Sequence, residues 1–178
     1  MSMAESQLHS KMPLRMVLMG VAGSGKSTVG EALAKRLGAT YYDGDDLHPQ
    51  ANIEKMSRGE PLTDEDRWPW LTKVGERLGE AGDTLIIGCS ALKRIYRDHI
   101  REKAGATVVF IHLSGSRKVI ESRMGARTGH FMPTSLLDSQ FATLEVPGED
   151  EHAVTADIDQ SLDDVVREIV EKLEAYRA

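Results

Sequence analysis

The strongest chemical signal in the sequence is the stretch GVAGSGKS, from Gly20 to Ser27, which matches the pattern G-x-x-x-x-G-K-[ST]. Glycines let the backbone wrap so that successive N–H groups point at phosphate oxygens, and a following helix adds its positive N-terminal end. In such a loop the Lys26 ammonium reaches the β- and γ-phosphates and the Ser27 hydroxyl is a ligand for Mg²⁺. The pattern predicts a nucleotide phosphate-binding loop (P-loop) whose other binding residues are Gly20, Ala22, Gly23, Ser24, Gly25 and Thr28.

A second candidate for chemistry is the acidic stretch DGDDLHP, which combines aspartates with a histidine. Such a cluster can bind a metal ion, act as a base or form a solvated loop. A P-loop site also needs a carboxylate near the Mg²⁺ shell, and this is usually an aspartate that ends a buried strand. The strand-like segment TLII (84–87) is followed by Gly-Cys-Ser, with no acid. The best-placed carboxylates are therefore those of the acidic stretch, namely Asp43, Asp45 and Asp46.

Both stretches lie in a chain that alternates between strand and helix patterns. Five apolar segments predict strands, namely RMVLM (15–19), TYYD (40–43), TLII (84–87), TVVFIHL (107–113) and AVTADI (153–158). Helices are predicted after the P-loop up to Gly38, from near Thr63, after Ser90, from Arg117 to about Arg123, after Thr134 and after Ser161. Because such alternation implies right-handed crossovers, we expect an α/β fold of the P-loop NTPase type, with a five-stranded parallel sheet and helices on both faces. Ligands of such sheets bind at the carboxyl ends of the strands.

Length and composition limit the other possibilities. With 178 residues, 40% of them hydrophobic, the chain can bury one sizeable core, so we expect a single domain over residues 14–178 after a polar, disordered leader over residues 1–13. No stretch is apolar and long enough to span a membrane. The net charge of −6 argues against general affinity for nucleic acid. The single cysteine, Cys89, excludes an internal disulfide and suits a reducing cytoplasm.

The distribution of charge is uneven along the chain. Lys and Arg outnumber acids in residues 93–127, whereas acids dominate residues 145–178. A basic middle in an acidic protein suggests a local anionic ligand, although exposed helix faces rich in Lys and Arg give the same pattern. The guanine-reading pattern N-K-x-D is absent from the sequence, which argues against a GTPase and leaves ATPases and small-molecule kinases.

Three long motifs then resemble one known family. They are GDDLHPQANIEKMSRGEPLTDEDRWPWL (44–71), CSALKRIYRDHIR (89–101) and HFMPTSLLDSQFATLEVP (130–147). In this order they resemble the gluconate kinases of the P-loop, nucleoside-monophosphate-kinase-like group, and the likeness runs from about residue 15 to the C-terminus. The resemblance implies ATP-dependent phosphorylation of D-gluconate to 6-phosphogluconate with Mg²⁺, in a cytoplasmic and typically dimeric enzyme.

Phosphoryl transfer needs a positioned hydroxyl and a carboxylate that takes its proton, which gives the acidic stretch definite roles. We expect Asp45 to orient the attacking hydroxyl, because it lies two residues past the strand end, and Asp43 to face the Mg²⁺ waters. We expect Asp46 to be a solvated residue or an acid at the N-terminus of a helix. His48 either hydrogen-bonds a polyol hydroxyl or fixes the turn before Pro49.

Gluconate carries a carboxylate, so its site should contain a cation, ideally a guanidinium that binds it through two hydrogen bonds. Arg67 is the leading candidate by resemblance and by its position at a helix start; the alternative is an ion pair with Asp64 or Asp66. Ser90 and Lys93 follow the third strand, where Ser90 can cap a helix or bind ligand and Lys93 can contact substrate. We expect Arg97, one helical turn after Lys93, to lie at the surface, and Cys89 to be an ordinary buried thiol.

The segment RMGARTGHFMP (123–133) has the composition of a small mobile flap, with two glycines as hinges. Closing a flap over ATP excludes water, which competes with the sugar hydroxyl for the γ-phosphate. We expect Arg127 to stabilise the transferring charge and to bind ATP, with Arg123 second; either arginine could instead satisfy carbonyls at a helix end. His130 could line the acceptor side, or the segment around Phe131 could pack as a loop anchor.

Three other functions are compatible with a P-loop in this fold. A shikimate kinase shares the D-x-D after the second strand, but the glycine triplet expected after the third strand is missing here. An adenylate-type kinase shares the flap, but residues 130–147 do not resemble its pattern. A non-catalytic ATP-binding regulator belongs to a different class, and the presence of Lys26, Ser27 and Asp45 argues against it.

Overall fold

The computed structural model describes residues 13–125 and 134–177. Five strands lie in this part of the chain: β1 (Arg15–Met19), β2 (Thr40–Asp43), β3 (Leu85–Gly88), β4 (Val109–Ser114) and β5 (Ala153–Asp157). Its α helices are α1 (Lys26–Leu37), α2 (Gln50–Ser57), α3 (Asp64–Gly79), α4 (Arg94–Ala104), α5 (Arg117–Gly125), α6 (Thr134–Thr143) and α7 (Leu162–Arg177). Short 3-10 helices occur at Gly44–Leu47 and Glu149–Glu151. None of these helices is long and apolar enough to cross a membrane.

The five strands form one parallel sheet in the order β2-β3-β1-β4-β5. Strand β1 is therefore central, β3 separates it from β2, and the connection from β3 to β4 returns across β1. This reversal of direction is the switch point at which open α/β sheets bind ligands. The expected fold class is confirmed, and the P-loop follows the central strand at this point.

Alternate residues of β1 point to opposite faces of the sheet, as strand geometry requires, and each face has its own core. Met16 and Leu18 pack in a cluster with α1 and α7, whose buried residues include Leu33 and Ile169. Val17 and Met19 pack in a second cluster with residues of α3 and α4, namely Trp70, Leu71, Val74, Leu78, Tyr96 and Ile100. Helices therefore cover both faces of the sheet.

The helix ends confirm two of the sequence signals. Helix α1 stops at Gly38, whose left-handed φ of 66° a glycine adopts without strain and whose N–H donates to the Ala34 carbonyl. Helix α3 follows a capping box in which the Asp66 N–H donates to Thr63 Oγ1 at 3.1 Å and the Thr63 N–H donates to Asp66 Oδ2 at 2.9 Å. Helix α4 begins at Arg94 after Lys93, so Ser90 does not cap it. Helix α2 was not predicted.

The expectation that Arg97 lies at the surface is wrong. Its side chain is fully buried, and its Nε donates to Glu151 Oε1 at 2.7 Å. Its Nη1 donates to the carbonyls of Ala91 and Leu92, at 2.8 and 3.2 Å. Because Ala91 has a left-handed φ of 44°, this loop needs external support, and Arg97 supplies it from inside the protein. The buried guanidinium thus shapes the loop that carries Ser90.

Glu151 keeps its charge inside the protein. Burial alone would raise its pKa, but hydrogen bonds from Arg97 and from the Gly148 N–H lower the pKa of Glu151 to about 2. The carboxylate is therefore ionised throughout the neutral range and pairs with Arg97.

We predict that Glu151→Gln lowers the free energy of unfolding by about 3–5 kcal/mol, because it leaves the Arg97 charge buried without a countercharge. Urea unfolding of the variant and the wild type measures the difference. Asp150→Asn is the matched control, since Asp150 pairs with Arg94 at the exposed surface and its loss should change stability little. Equal stability of Glu151→Gln and the wild type would contradict a stabilising role for the buried pair.

Candidate active site

The P-loop joins the end of β1 to the start of α1 through two glycines with left-handed backbones. Gly23 has a φ of 81° and Gly25 a φ of 93°, conformations that other residues adopt only with strain. Helix α1 begins immediately afterwards at Lys26, so the amides of its first turn have no partner within the helix. N–H groups arranged in this way at a helix start can bind phosphate oxygens.

Two other amides of the loop already have partners in the protein. The Ser24 N–H donates to the Val21 carbonyl at 3.2 Å, and the Ala22 N–H donates to Gln140 Oε1 at 2.6 Å. Gln140 lies on α6, so this helix is tied directly to the P-loop. The Ala22 amide can reach a phosphate only by leaving Gln140, and its predicted role in nucleotide binding stays a prediction. The Ser24 side chain is buried, and its Oγ has no hydrogen-bond partner within the described residues.

Lys26 folds back over the loop that it belongs to. Its Nζ donates to the carbonyl oxygens of Gly20 and Val21, at 3.0 and 3.2 Å. The positive charge of Lys26 also lowers the pKa of Asp45, but burial of that carboxyl group raises the pKa by more. The Lys26 ammonium therefore lies close enough to the acidic stretch for its charge to act on Asp45.

Tyr41 links Ser27 to the sheet and was not singled out from the sequence. Its hydroxyl is hydrogen-bonded to the Ser27 hydroxyl, and burial raises the pKa of Tyr41 to about 12, so it stays protonated. The ring occupies the space that side chains at Gly30 and Gly88 would fill, because a Cβ on either glycine would lie 2.2 Å from a Tyr41 atom. Ser27 itself is exposed at the start of α1, while Thr28 beside it is also open to solvent.

The acidic stretch forms the turn that leaves β2. Asp43 is the last residue of β2, lies in register with Gly88 of β3, and accepts the Asp45 N–H at 2.9 Å. Asp46 is exposed, in agreement with a solvated residue. Among the described residues no three His, Cys, Asp or Glu side chains converge on a point that could hold a metal ion. A metal near Asp43 would therefore need further ligands, such as phosphate oxygens and water.

Asp45 follows Asp43 in this turn, and its carboxylate lies close enough to Lys26 of the P-loop for the two charges to interact. Its side chain is 69% exposed, yet the surrounding protein raises its pKa by restricting its hydration, and the neighbouring Asp43 and Asp46 raise it further. Only Lys26 opposes these effects. A carboxylate with a raised pKa is a better proton acceptor, which is the property that a base in this position needs.

His48 forms the wall behind Asp45. The side chain is buried, and its ring stacks on Trp70 with ring centroids 3.8 Å apart and planes 19° from parallel. Its Nδ1 lies 3.2 Å from Asn52 Nδ2, and its Nε2 lies 3.9 Å from Asp45 Oδ1. Burial and the charge of Arg67 lower the pKa of His48 to about 4, so the ring is neutral at physiological pH.

Arg67 lies beside this wall and does not make the ion pairs considered for it. Its Nη1 donates to the Leu62 carbonyl at 2.6 Å and to the Tyr96 hydroxyl at 3.0 Å. The Asp64 carboxylate instead accepts from Tyr96 and lies 3.5 Å from Lys93 Nζ. The Asp66 carboxylate pairs with Lys55 at 2.7 Å.

Two further predicted substrate residues follow β3. Ser90 is partly exposed in the loop that Arg97 supports, directly after the buried Cys89. Burial raises the pKa of the Cys89 thiol to about 12, so the expectation of an ordinary buried cysteine is confirmed. Lys93 ends the loop and is held by Asp64, with its Nζ 5.6 Å from the centre of the Tyr96 ring. Its contact with a substrate stays a prediction.

A cavity of about 230 Å³ opens on the other side of the P-loop. Arg123 of α5 lines it and donates to the Ile158 carbonyl, which places a guanidinium next to Gly25. The remaining lining residues are Gly23, Thr28, Val29, Gln160, Leu162 and Val165. Gln160, Leu162 and Val165 follow β5, and the sequence analysis did not predict them as site residues. The rule that ligands bind at strand ends applies to β5 as well. The mixed apolar and cationic lining suits a nucleotide base.

The flap proposed from the sequence lies largely outside the described residues. Arg127 and His130 both fall between the described ranges, and so does Phe131. Their predicted roles stay predictions.

A parallel α/β sheet with a P-loop after its central strand and an aspartate turn beside it defines a kinase-type nucleotide-binding protein. The sequence matches the family described as an AAA domain over residues 16–147. It is 46% identical to a gluconokinase of Gluconobacter oxydans, over 96% of this chain and 97% of that protein. It is 50% identical to the thermoresistant gluconokinase of Escherichia coli, over 87% of this chain and 90% of that protein.

The structural comparison agrees with the sequence comparison. The crystal structure of a gluconokinase from Sinorhizobium meliloti superposes with a TM-score of 0.86 at 50% identity, and covers 93% of this chain and 94% of that one. The chain belongs to the gluconokinase family.

We predict that Gln140→Glu weakens ATP binding roughly tenfold, because a negative charge would lie against the loop that binds the phosphates. The variant keeps an acceptor for the Ala22 N–H, so the fold should be unaffected. The dissociation constant for ATP, measured by calorimetric titration, tests this.

Ala142→Glu is the control for this prediction, because it adds the same charge at an exposed position of the same helix. It should leave the affinity for ATP unchanged. If Gln140→Glu bound ATP as tightly as the wild type, the contact between α6 and the P-loop would have no part in phosphate binding.

Proposed function

We propose that this protein transfers the γ-phosphoryl group of ATP to D-gluconate and forms 6-phospho-D-gluconate and ADP. The observation that carries the proposal is the 46–50% identity to gluconokinases across nearly the whole chain. The geometry supports it, because Lys26 of the P-loop and the candidate accepting carboxylate of Asp45 lie close enough for their charges to interact. Intact Lys26, Ser27 and Asp45 favour a catalyst over a non-catalytic ATP-binding protein.

In the reaction, the oxygen of the gluconate 6-hydroxyl forms a bond to the γ-phosphorus of ATP. The bond between that phosphorus and the β–γ bridging oxygen breaks, and ADP leaves with the electron pair. The hydroxyl proton passes to Asp45, whose raised pKa makes it a suitable acceptor. In this mechanism Asp45 first orients the hydroxyl and then takes its proton.

The P-loop holds the donor in this mechanism. The first-turn amides of α1 bind phosphate oxygens, and Lys26 exchanges its contacts with the Gly20 and Val21 carbonyls for contacts with the β- and γ-phosphates. Mg²⁺ fits this site, since Ser27 presents an exposed hydroxyl and Asp43 ends β2, which only β3 separates from β1 in the sheet. The ion, when bound, neutralises charge on the phosphates. Ser27 and Asp43 are the residues we propose to hold it, Asp43 through water.

Gluconate binds on the side of the cleft formed by α3 and by the loop after β3. We propose that Arg67 binds the gluconate carboxylate with the donors that Leu62 and Tyr96 do not use, and that Ser90 and Lys93 contact the polyol chain. We propose that His130 also lines the gluconate side of the site.

Two arginines are proposed to act on the nucleotide. Arg123 lines the cavity next to Gly25, which supports a contact with ATP. Arg127 is proposed, from its place in the segment with the composition of a flap, to stabilise the charge on the transferring phosphoryl group. A mobile flap over residues 123–133 would bring it to the site.

We also propose that the enzyme is a homodimer in the cytoplasm, with neither nucleic acid nor membrane as a partner. The family resemblance supports the dimer. A single buried cysteine supports a reducing compartment, and the net charge of −6 argues against polyanion binding.

The substrate proposal predicts ATP consumption with gluconate and much less with shikimate or AMP, while other aldonates in the same panel define the range of sugar acids. A coupled assay for ADP over this panel measures it, and mass spectrometry identifies the phosphorylated product. Turnover of shikimate or AMP without turnover of gluconate would contradict the proposal. ATP binding without any transfer in a single-turnover experiment would instead indicate a regulator.

We predict that Asp45→Asn lowers kcat by roughly 10²–10⁴-fold, because an amide can hold the hydroxyl but cannot take its proton. The affinity for ATP should stay near that of the wild type. Steady-state kinetics and ATP titration measure the two effects separately. The neighbouring, solvent-exposed Asp46 supplies the control, and Asp46→Asn should turn over at nearly the wild-type rate. Near-normal turnover by Asp45→Asn would remove Asp45 from the mechanism.

A further inference from the structure

His48 and Asn52 form a buried pair behind Asp45 that the mechanism above leaves without a definite role. His48 is 8% exposed and Asn52 is 4% exposed. The His48 ring is fixed in its plane by the stack on Trp70, whose Nε1–H is itself anchored to the Gly44 carbonyl at 2.7 Å. A ring held this firmly presents its two nitrogens in fixed directions.

A main-chain carbonyl settles how the Asn52 amide is oriented. Asn52 Nδ2 lies 2.8 Å from the Asp66 carbonyl oxygen, which can only accept a hydrogen bond, so the atom facing it must be the NH₂ nitrogen. The same NH₂ group lies 3.2 Å from His48 Nδ1. Because an NH₂ group only donates, Nδ1 must be the accepting, unprotonated nitrogen of the ring.

The proton of the neutral ring is therefore on Nε2, since a neutral imidazole carries one donor and one acceptor. The neutral state follows from burial and the charge of Arg67, which lower the pKa of His48 to about 4. The Asp66 carbonyl thus fixes the Asn52 amide, and the amide fixes the tautomer of His48.

The Nε2–H faces Asp45 across a gap of suitable size. The distance from Nε2 to Asp45 Oδ1 is 3.9 Å, which is too long for a direct hydrogen bond. A hydroxyl oxygen placed at about 2.9 Å from both atoms would accept from Nε2–H and donate to Asp45. One lone pair of that oxygen stays available for attack on phosphorus.

We propose that Asn52 is a positioning residue that holds His48 as the Nε2–H tautomer, so that His48 and Asp45 together grip the hydroxyl that is phosphorylated. The inference rests on the proposed function. The other tautomer would present a lone pair instead of a proton to the gap. The hydroxyl has one proton, so it could not donate to both His48 and Asp45, and its orientation would be lost.

The tautomer can be observed directly in the full-length protein labelled with ¹⁵N-histidine. Long-range ¹H–¹⁵N spectra at neutral pH distinguish a protonated from an unprotonated ring nitrogen, and the His48 signals are those that disappear in His48→Gln. We expect Nε2 to be protonated and Nδ1 unprotonated. In Asn52→Leu, which has a similar shape but no NH₂ group, we expect a mixture of tautomers. A wild-type His48 protonated on Nδ1 alone, or on both nitrogens, would overturn the proposal.

Two variants of His48 test the role of the donor with Asn52 left in place. His48→Phe keeps an aromatic ring over Trp70 but has no donor, whereas the side-chain NH₂ of His48→Gln can take the place of Nε2–H. We expect kcat/KM for gluconate to fall roughly tenfold or more in His48→Phe and in Asn52→Leu, and to recover to within about threefold of the wild type in His48→Gln. The affinity for ATP should be the same in all four proteins.

The kinetic comparison separates a hydrogen-bonding role from a packing role. If His48→Phe is as active as His48→Gln, or if both are equally impaired, the donor has no part in gluconate recognition and the proposal is wrong. Failure of the proposed function gives a different result, namely wild-type protein that shows the Nε2–H tautomer but does not phosphorylate gluconate. Active gluconate kinase with the Nδ1–H tautomer would contradict this inference alone.

Discussion

The parallel pairing of three strand ends is the constraint on which the whole site depends. Leu18 of β1 and Asp43 of β2 are both in register with Gly88 of the intervening β3. Two strand spacings, roughly 10 Å, therefore separate the start of the P-loop from the first carboxylate of the acidic turn. This distance leaves room for the terminal phosphate of a nucleotide and a hydroxyl between them. Hydrogen bonds of the sheet set the distance, so neither loop has to define it alone.

Each face of the sheet supports one half of the cleft. The core formed with α1 and α7 continues into Val29 and Val165, which line the cavity beside the P-loop. The core formed with α3 and α4 continues into Trp70 and Tyr96, which hold His48 and Arg67 on the acceptor side. The two substrates of a kinase thus meet at the sheet edge, each against its own hydrophobic layer. The buried Arg97–Glu151 pair belongs to the acceptor half and shapes its loop from within.

Features set by short stretches of sequence could be predicted, and features set by distant contacts could not. The P-loop and the Gly38 helix end are encoded within a few residues, and the parallel sheet follows from the alternation of elements. Arg97 looks like an exposed helix residue until Glu151, far along the chain, is placed beside it. Asn52 is four residues from His48, but its role depends on a main-chain carbonyl that no side-chain pattern reveals. The chemical groups and the local geometry could therefore be predicted from the sequence, whereas the contacts that support them became visible only in the folded structure.

The position of Tyr41 has a consequence for which substitutions the protein can tolerate during evolution. Its ring fills the space left by the missing side chains of Gly30 and Gly88, and its hydroxyl reaches Ser27. Even a methyl group at Gly30 would displace the ring and, with it, a partner of the P-loop hydroxyl. Gly30 itself is buried within α1, so its restriction is not evident from the residues that line the site. The residue at this helix position is therefore restricted by the shape of its neighbour, because a side chain there needs the space that the Tyr41 ring fills.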